Sequence, residues 1–275
     1  MNNYHTLRSI LPKSAYATIG HISNENDLKT LEAFIKFNAP FLVKFPIHII
    51  AQNAVTPELK DKANNLWKQY YPQCVIIDHN ENKGHTFGTL ELDNSIFEYT
   101  LQHKSKIKYV WKCGNDVIMD SSIFDVTVEN ADLYFLNNIG YNAFTQENGD
   151  FKALFNKVKL KTYFYPQTWF FILKNDFDYL NSKELIKDGY EKWKLTPEKK
   201  PWEVYEGIDC ETQLKECVKR NKLTTYHLLD EVSLERLLNA IGHYQIHDGS
   251  HKNLVYTKLG NLCHYQYTDK TVLPI

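Results

Sequence analysis

The sequence predicts an α/β fold, a mostly parallel central sheet flanked by helices with a less regular C-terminal part. Three observations carry that expectation. Short apolar runs alternate with amphipathic helical segments between Tyr16 and Asp116. The runs are apolar almost throughout, as strands covered on both faces are. Helix-start signals fall between them, giving the βαβ pattern of a parallel sheet.

Taken in order, residues 1–13 read as a loose lead-in. Tyr16–Gly20 is a first buried strand that runs into Gly20-His21-Ile22-Ser23-Asn24. Ser23 or Asn24 caps the next helix, whose inward stripe is Leu28, Leu31, Phe34 and Ile35. Pro46–Ala51 is a second strand. Thr56-Pro57 then supplies an N-cap with proline at the first helical position, opening a helix through Leu59, Ala63, Leu66 and Trp67. Cys74–Asp78 is a third strand, followed by the polar stretch Asn80–Gly88 and a helical segment with Ile96, Phe97 and Leu101. Tyr109-Val110-Trp111 carries a fourth strand into a polar break at Gly114-Asn115-Asp116, after which Val117-Ile118-Met119 resume.

Beyond it, Ala131–Leu136 and Thr168–Leu173 read as strands on either side of a polar and aromatic stretch, 137–167. Tyr205–Asp209 opens a helix with Leu214, Cys217 and Val218 inward, Thr224–Leu229 is a further strand, and Leu234–Leu238 a short helix. Lys192–Lys200 is the expected mobile loop, and Ile241–Ile275 is a tail rich in His and Tyr.

Composition narrows the function classes. The 275 residues suffice to bury a large core, and 32 basic against 33 acidic residues leave a formal charge of −1. With no extended run of either sign, nucleic acid is excluded as the main partner. Only Arg8, Arg220 and Arg236 are arginines, so bidentate clamps on phosphate are scarce, and lysine or a metal must offset phosphate charge. Cys74, Cys113, Cys210, Cys217 and Cys263 form no CxxC pair and read as reduced, mostly buried thiols. Cys210 and Cys217 can share one helix face, as packing residues. The N-terminus has no basic-then-apolar pattern, and the longest apolar candidate, Ala39–Val55, is interrupted by Lys44, Pro46 and His48. No integral membrane segment and a cytoplasmic location are expected.

The stretch Lys108–Met119 is a strand ending at a carboxylate, Asp116, at the sheet edge where open α/β sheets bind ligands. It resembles the Asp-x-Asp region of GT-A glycosyltransferases, in which a strand delivers acidic residues to a divalent metal that holds a nucleotide-sugar diphosphate. Here Gly114 takes the first acidic position and Asp116 alone remains an acid. The resemblance covers roughly residues 14–230 and implies one GT-A-like (Rossmann-like) catalytic domain over 1–275. Residues 14–130 would be its nucleotide-sugar-binding half, 131–240 its acceptor half and 241–275 its tail. It implies a hexosyltransferase-like enzyme moving a sugar from a nucleotide-diphosphate donor to a hydroxyl of a glycan or lipid-linked saccharide, assisted by Mn²⁺ or Mg²⁺.

Site residues follow from the same resemblance. Thr18, Gly20 and His21 stand in the loop that approaches the nucleotide base, and Asn53 lies just past the second strand. Asn82-Lys83-Gly84 looks like the family's Asn-x-Gly segment, with Lys83 and His85 bracketed by glycines so that a cation faces diphosphate. Asp93 is either a sugar-hydroxyl contact or a helix-surface carboxylate. Asn115 flanks the metal residue Asp116, and His247 and His251 are the late metal ligands, with Lys252 toward phosphate. Trp169, with Tyr163, Tyr165 and Gln167, supplies an aromatic wall for sugar. Asp120 and Asp125 read as ordinary turn residues. Glu206-Gly207-Ile208-Asp209-Cys210-Glu211 resembles the family's acidic region beside the acceptor. It makes Asp209 the candidate base, with Glu206 and then Glu211 behind it. The competing reading of Asp209 is an N-cap. Two rival functions stand beside this one. The first is a non-catalytic sugar- or nucleotide-binding module with a degraded metal site. The second is a nucleotidyltransferase, disfavoured because the first loop lacks several glycines and a basic residue.

Overall fold

The computed structural model describes residues 4–115, 117–119, 121–137, 166–180, 184–205, 208–228, 255–259 and 262–266. Its first element is not the loose lead-in expected. Strand β1 (Tyr4–Thr6) pairs antiparallel with β7 (Thr127–Glu129), and a 3-10 segment, Leu7–Lys13, buries Leu7, Ile10 and Leu11. Leu7 and Ile10, three apart, eclipse on one side of the 3-10 turn and Leu11 extends the buried surface beside them, so the segment plugs the core.

The sheet proper begins with β2 (Ser14–Ile22), followed by α1 (Glu25–Leu42), β3 (Ile47–Ala54), α2 (Pro57–Tyr70) and β4 (Val75–Asp78). The caps are those the sequence signals. Asn24 Oδ1 accepts from the N–H groups of Asn26 and Asp27, and Thr56 Oγ1 accepts from Leu59 N, each satisfying donors the first turn leaves open. A π-helical turn, Gly84–Gly88, leads into α3 (Thr89–Gln102), and β5 (Tyr109–Gly114) follows. After β6 (Val117–Met119) come β8 (Leu133–Asn137), β9 (Pro166–Lys174), α4 (Glu184–Lys194), α5 (Pro201–Val204), α6 (Cys210–Asn221) and β10 (Thr225–His227).

Seven strands form one sheet in the order β10-β8-β9-β5-β2-β3-β4. Every neighbouring pair is parallel except that β9 runs antiparallel to both β5 and β8. The chain starts at β2, steps outward to β3 and β4, then returns to the other side of β2 as β5. This reversal of direction makes β2/β5 the topological switch point, whose carboxyl ends flank the crevice where such sheets bind ligands.

Side chains alternate between two apolar layers. Tyr16, Ile50, Trp111 and Cys113 pack with Leu28, Leu31 and Ile35 of α1 and Trp67 of α2. Ala15, Ala17, Ile49, Ala51 and Val110 face Leu90, Ile96 and Phe97 of α3 and Leu214 and Cys217 of α6. Cys210 and Cys217 are both buried packing residues. The stretch 192–200, expected as a mobile loop, is tied down: α4 continues to Lys194, and the Trp193 indole N–H donates to Lys199 O at 2.8 Å. The tail contributes a hairpin, β11 (Val255–Leu259) and β12 (Leu262–Gln266), whose second strand pairs antiparallel with β6, His264 opposite Val117. No described helix is long and apolar enough to cross a membrane.

Candidate functional site

At the switch point β2 ends in Gly20-His21-Ile22, and β5 ends at Gly114 beside Asn115. The register aligns Ile19 with Gly114 and His21 with Asn53, so these residues share one sheet edge. A Cβ built on Gly20 would lie 3.7 Å from Asn115 Nδ2 and 3.9 Å from Gln52 Cβ, both ordinary contacts. The protein's own packing therefore does not require glycine there.

Hydrogen bonds lock the edge. His21 Nδ1 is 2.5 Å from Asn53 Oδ1, and Asn82 Nδ2 is 3.3 Å from His21 Nε2. Asn53 Nδ2 donates to Glu81 O at 3.4 Å, and Asn82 Oδ1 accepts from Gly84 N at 2.9 Å. Because the Asn82 oxygen is taken by Gly84, its NH₂ faces the ring. His21 therefore accepts at Nε2 and donates from Nδ1. The ends of β2 and β3 and the loop after β4 are thus joined through three neutral polar side chains. Thr18 is buried one step below this edge, as part of the wall.

Lys83 departs from expectation. Its Nζ lies 2.5 Å from Glu91 Oε1 and 5.6 Å from the Tyr190 ring centre, so it faces a carboxylate rather than an open crevice. Burial alone would raise the Glu91 pKa, but hydrogen bonds from His79 and Lys83 outweigh it and hold the carboxyl below its usual range. Gly84, next in the turn, adopts φ +75°, a left-handed conformation that glycine reaches without strain.

Asp93 also departs from expectation. It is fully buried on the inner face of α3, not on the helix surface. Lys112 Nζ lies 3.4 Å from Asp93 Oδ1, and both Asp93 oxygens lack a hydrogen bond among the described residues. Lys112 Nζ instead donates to Thr168 O at 2.7 Å, and Thr168 Oγ1 donates to Glu211 Oε1 at 2.9 Å. Burial pushes the Asp93 pKa from 3.8 to about 6, with Lys112 opposing the rise and Glu211 adding to it. A polar seam therefore runs from α3 through β5 and β9 to the first turn of α6.

Asp209 sits at the α6 N-terminus as its cap: Oδ1 accepts from Thr212 N at 2.7 Å and Oδ2 from Thr212 Oγ1 at 2.8 Å. Trp169, half-buried, packs against the β5–α1 layer. Asp116, Glu206, His247, His251 and Lys252 lie outside the described residues, as do Tyr163, Tyr165 and Asp120. Asp125 pairs with Arg8 at 2.7 Å on the surface, consistent with its reading as a turn residue.

Gly20, His21, Asn53 and Asn115 are thus brought together. Lys83 and Asp93 are turned to other partners, and Asp209 stands at the start of α6. Two residues escaped sequence reasoning although their signal was present: Lys112 interrupts an apolar strand, and Asn38 interrupts the apolar stripe of α1. Among the described residues no three His, Cys, Asp or Glu side chains converge as metal ligands. Asn115 offers a hard oxygen donor suited to Mn²⁺ or Mg²⁺, and the rest of such a set would come from Asp116 and the tail.

No family model and no curated protein matches this chain. Among solved structures, it is similar to a galactosyltransferase in complex with donor and acceptor sugar analogues, at 10% identity and TM-score 0.39, over 73% of this chain and 69% of that one. It is also similar to a nucleoside-diphosphate-sugar pyrophosphorylase from Vibrio cholerae RC9, at 12% identity and TM-score 0.40, over 77% of this chain and 90% of that one.

Proposed function

We propose that this protein is a nucleotide-sugar-dependent glycosyltransferase that moves a sugar from a nucleotide-diphosphate donor to a hydroxyl of a saccharide or glycoconjugate. The observation that carries the reading is the switch-point crevice, where Gly20, His21, Asn53 and Asn115 stand together at the carboxyl ends of β2, β3 and β5. A neutral array of imidazole and amides suits a base and sugar hydroxyls, which offer donors and acceptors but no charge. In this reading Thr18 and Trp169 form walls, and the diphosphate lies toward the Asn115-Asp116 corner.

Charge has to be met there as the diphosphate leaves. Lys83 and Lys112 are engaged by Glu91 and Asp93. A divalent cation, Mn²⁺ or Mg²⁺, is therefore assigned to Asp116 with His247 and His251, and Lys252 to phosphate. Bound there, it would neutralise the departing diphosphate. The chain's own contribution is to hold donor and acceptor in reacting geometry. A carboxylate at the α6 N-terminus, Asp209 with Glu206 and Glu211 beside it, takes the acceptor proton if configuration inverts.

The test is a panel of UDP-, GDP-, CMP- and dTDP-sugars with Mn²⁺, read first as a rise in melting temperature and then as donor hydrolysis. Turnover abolished by Asp116→Ala supports the enzyme. Gly114 in place of an acid favours a second reading, a binding module, which would show tight donor binding and no turnover with any donor. Pyrophosphate release from a nucleoside triphosphate and a sugar phosphate would instead establish nucleotidyl transfer.

A further inference from the structure

One carboxylate ties both ends of the loop after β4, His79–Lys83, to α3. Glu91 lies in the first turn of α3, its Oε1 2.5 Å from Lys83 Nζ and its Oε2 3.6 Å from His79 Nδ1. His79 Nε2 reaches Ser95 Oγ at 3.1 Å, and Ser95 stands one turn beyond Glu91 on the same face of the helix. The group is shielded from water, with the side chains of Lys83, His79 and Glu91 17, 18 and 25% exposed. A carboxylate accepts through two oxygens, so a single side chain can serve both ends of a loop. Tyr190 of α4 backs the same loop: the Lys83 ammonium lies 5.6 Å from its ring centre, and its hydroxyl donates to the Glu81 carboxylate. The middle of the loop faces the crevice edge, where Asn82 Nδ2 meets His21 Nε2 and Asn53 Nδ2 donates to Glu81 O.

We infer that Glu91 is a positioning residue for nucleotide-sugar binding, latching the 79–83 loop so that Asn82 and Glu81 meet His21 and Asn53. The role rests on the proposed function, and Glu91 acts through the loop rather than on the sugar nucleotide. The rival account is a first-turn acid that only favours the helix dipole. That account predicts a less stable protein with an unaltered loop. A latch predicts a loop that loosens while the sheet stays intact. Glutamine separates the two, because its one oxygen can serve only one end of the loop and its NH₂ faces the other. Lys83→Met breaks the same link from the opposite side and leaves the carboxylate on the helix.

The experiment measures amide hydrogen exchange and nucleotide-sugar affinity in the full chain, for wild type, Glu91→Gln, Lys83→Met and the double variant. His79 N donates to Gln52 O and Gly84 N to Asn82 Oδ1, both at 2.9 Å, so the loop carries protected amides to follow. Glu91→Gln is expected to speed exchange over 79–84 roughly 10–100-fold, the loss of one charge-assisted hydrogen bond, while β5 and β9 keep wild-type protection. Whichever UDP-, GDP-, CMP- or dTDP-sugar stabilises wild type should bind this variant at least about threefold more weakly, because only the ordered loop is competent. Lys83→Met should do the same, and the double variant should be no weaker than either single one, since both break one link. Exchange over 79–84 that matches wild type overturns the latch, and so does a uniform rise across the protein. A loosened loop with a smaller loss of affinity overturns the positioning role. Losses that add in the double variant also overturn it, since Lys83 would then act on the sugar nucleotide directly. Should Glu91→Gln fail to fold, Lys83→Met decides by exchange and affinity alike. A wild type that binds none of the four sugar nucleotides overturns the proposed function and this role together, whereas normal binding with unaltered variants overturns this role alone.

Discussion

Lys112 and Asp93 face each other across 3.4 Å, Nζ to Oδ1, with side chains 3% and 0% exposed. Removing two charges from water is costly, and Lys112 offsets the desolvation of Asp93 only in part. Removing one partner is therefore worse than removing both. Lys112→Met should cost about 3–5 kcal/mol, while Asp93→Leu combined with Lys112→Met should recover most of it. Urea denaturation of the single and double variants checks this, and equal losses in both would contradict it.

Asp93 also gives stability a defined pH dependence. Its pKa rises from 3.8 to about 6 on folding, so between these values the folded protein holds a proton that the unfolded chain has released. The contribution is fully present below the lower value and is lost as pH climbs through about 6, by roughly 3 kcal/mol. Glu91, held below its usual range, contributes with the opposite sign at lower pH. The wild-type minus Asp93→Asn difference in unfolding free energy isolates the effect. It should fall across pH 4–6 and level off above, and a pH-independent difference would refute it.

Gly189 of α4 is a packing glycine. A Cβ there would sit 2.8 Å from Phe87 Cε1 and 3.3 Å from Tyr205 Cδ2, and Phe87 is fully buried, so the ring has no room to swing aside. Alanine favours a helix by up to about 1 kcal/mol, but overpacking of this kind costs about 1–3 kcal/mol. Gly189→Ala should lower the melting temperature and disturb the Gly84–Gly88 turn that Phe87 anchors.

Gly20→Ala should behave in the opposite way. The contacts at 3.7 and 3.9 Å are ordinary, so stability should stay within about 0.5 kcal/mol of wild type. A methyl group on the edge facing the crevice should raise donor KM. Unchanged kinetics would show that ligand does not approach this backbone.

Asp209→Asn tests the base role without dismantling the helix, because asparagine retains an oxygen for Thr212 N and is an equally good cap. Turnover should fall by roughly 10²–10⁴-fold while the melting temperature holds. An active variant would leave Asp209 as a cap alone.

Much of the first half of the fold was legible because its signals are local. Asn24 and Thr56 cap helices through side chains next to the groups they satisfy, and the apolar runs at Tyr16 and Val110 mark strands buried on both faces. Gly20, His21, Asn53 and Asn115 were singled out only through the resemblance, and they stand together because parallel strands end on one sheet edge. What escaped depends on distant partners. The burial of Leu7 and Ile10 needs the Val126–Phe124 region, since Leu7 N donates to Val126 O at 3.0 Å. Asp93 looks like a surface acid until α6 and β9 cover it. Lys83 has its counterion eight positions on, but only a π-helical turn brings the two together.

The reversed strand β9 has one last consequence. Asn137 at the end of β8 is in register with Pro166 at the start of β9, so the chain leaves and re-enters the sheet at neighbouring points on the edge that also carries the carboxyl ends of β2 and β5. Closing a connection between adjacent anchors becomes harder only slowly with length, by about 0.6 kcal/mol per doubling. The scaffold can accordingly accept inserts of very different size between these two anchors while strand pairing stays unchanged.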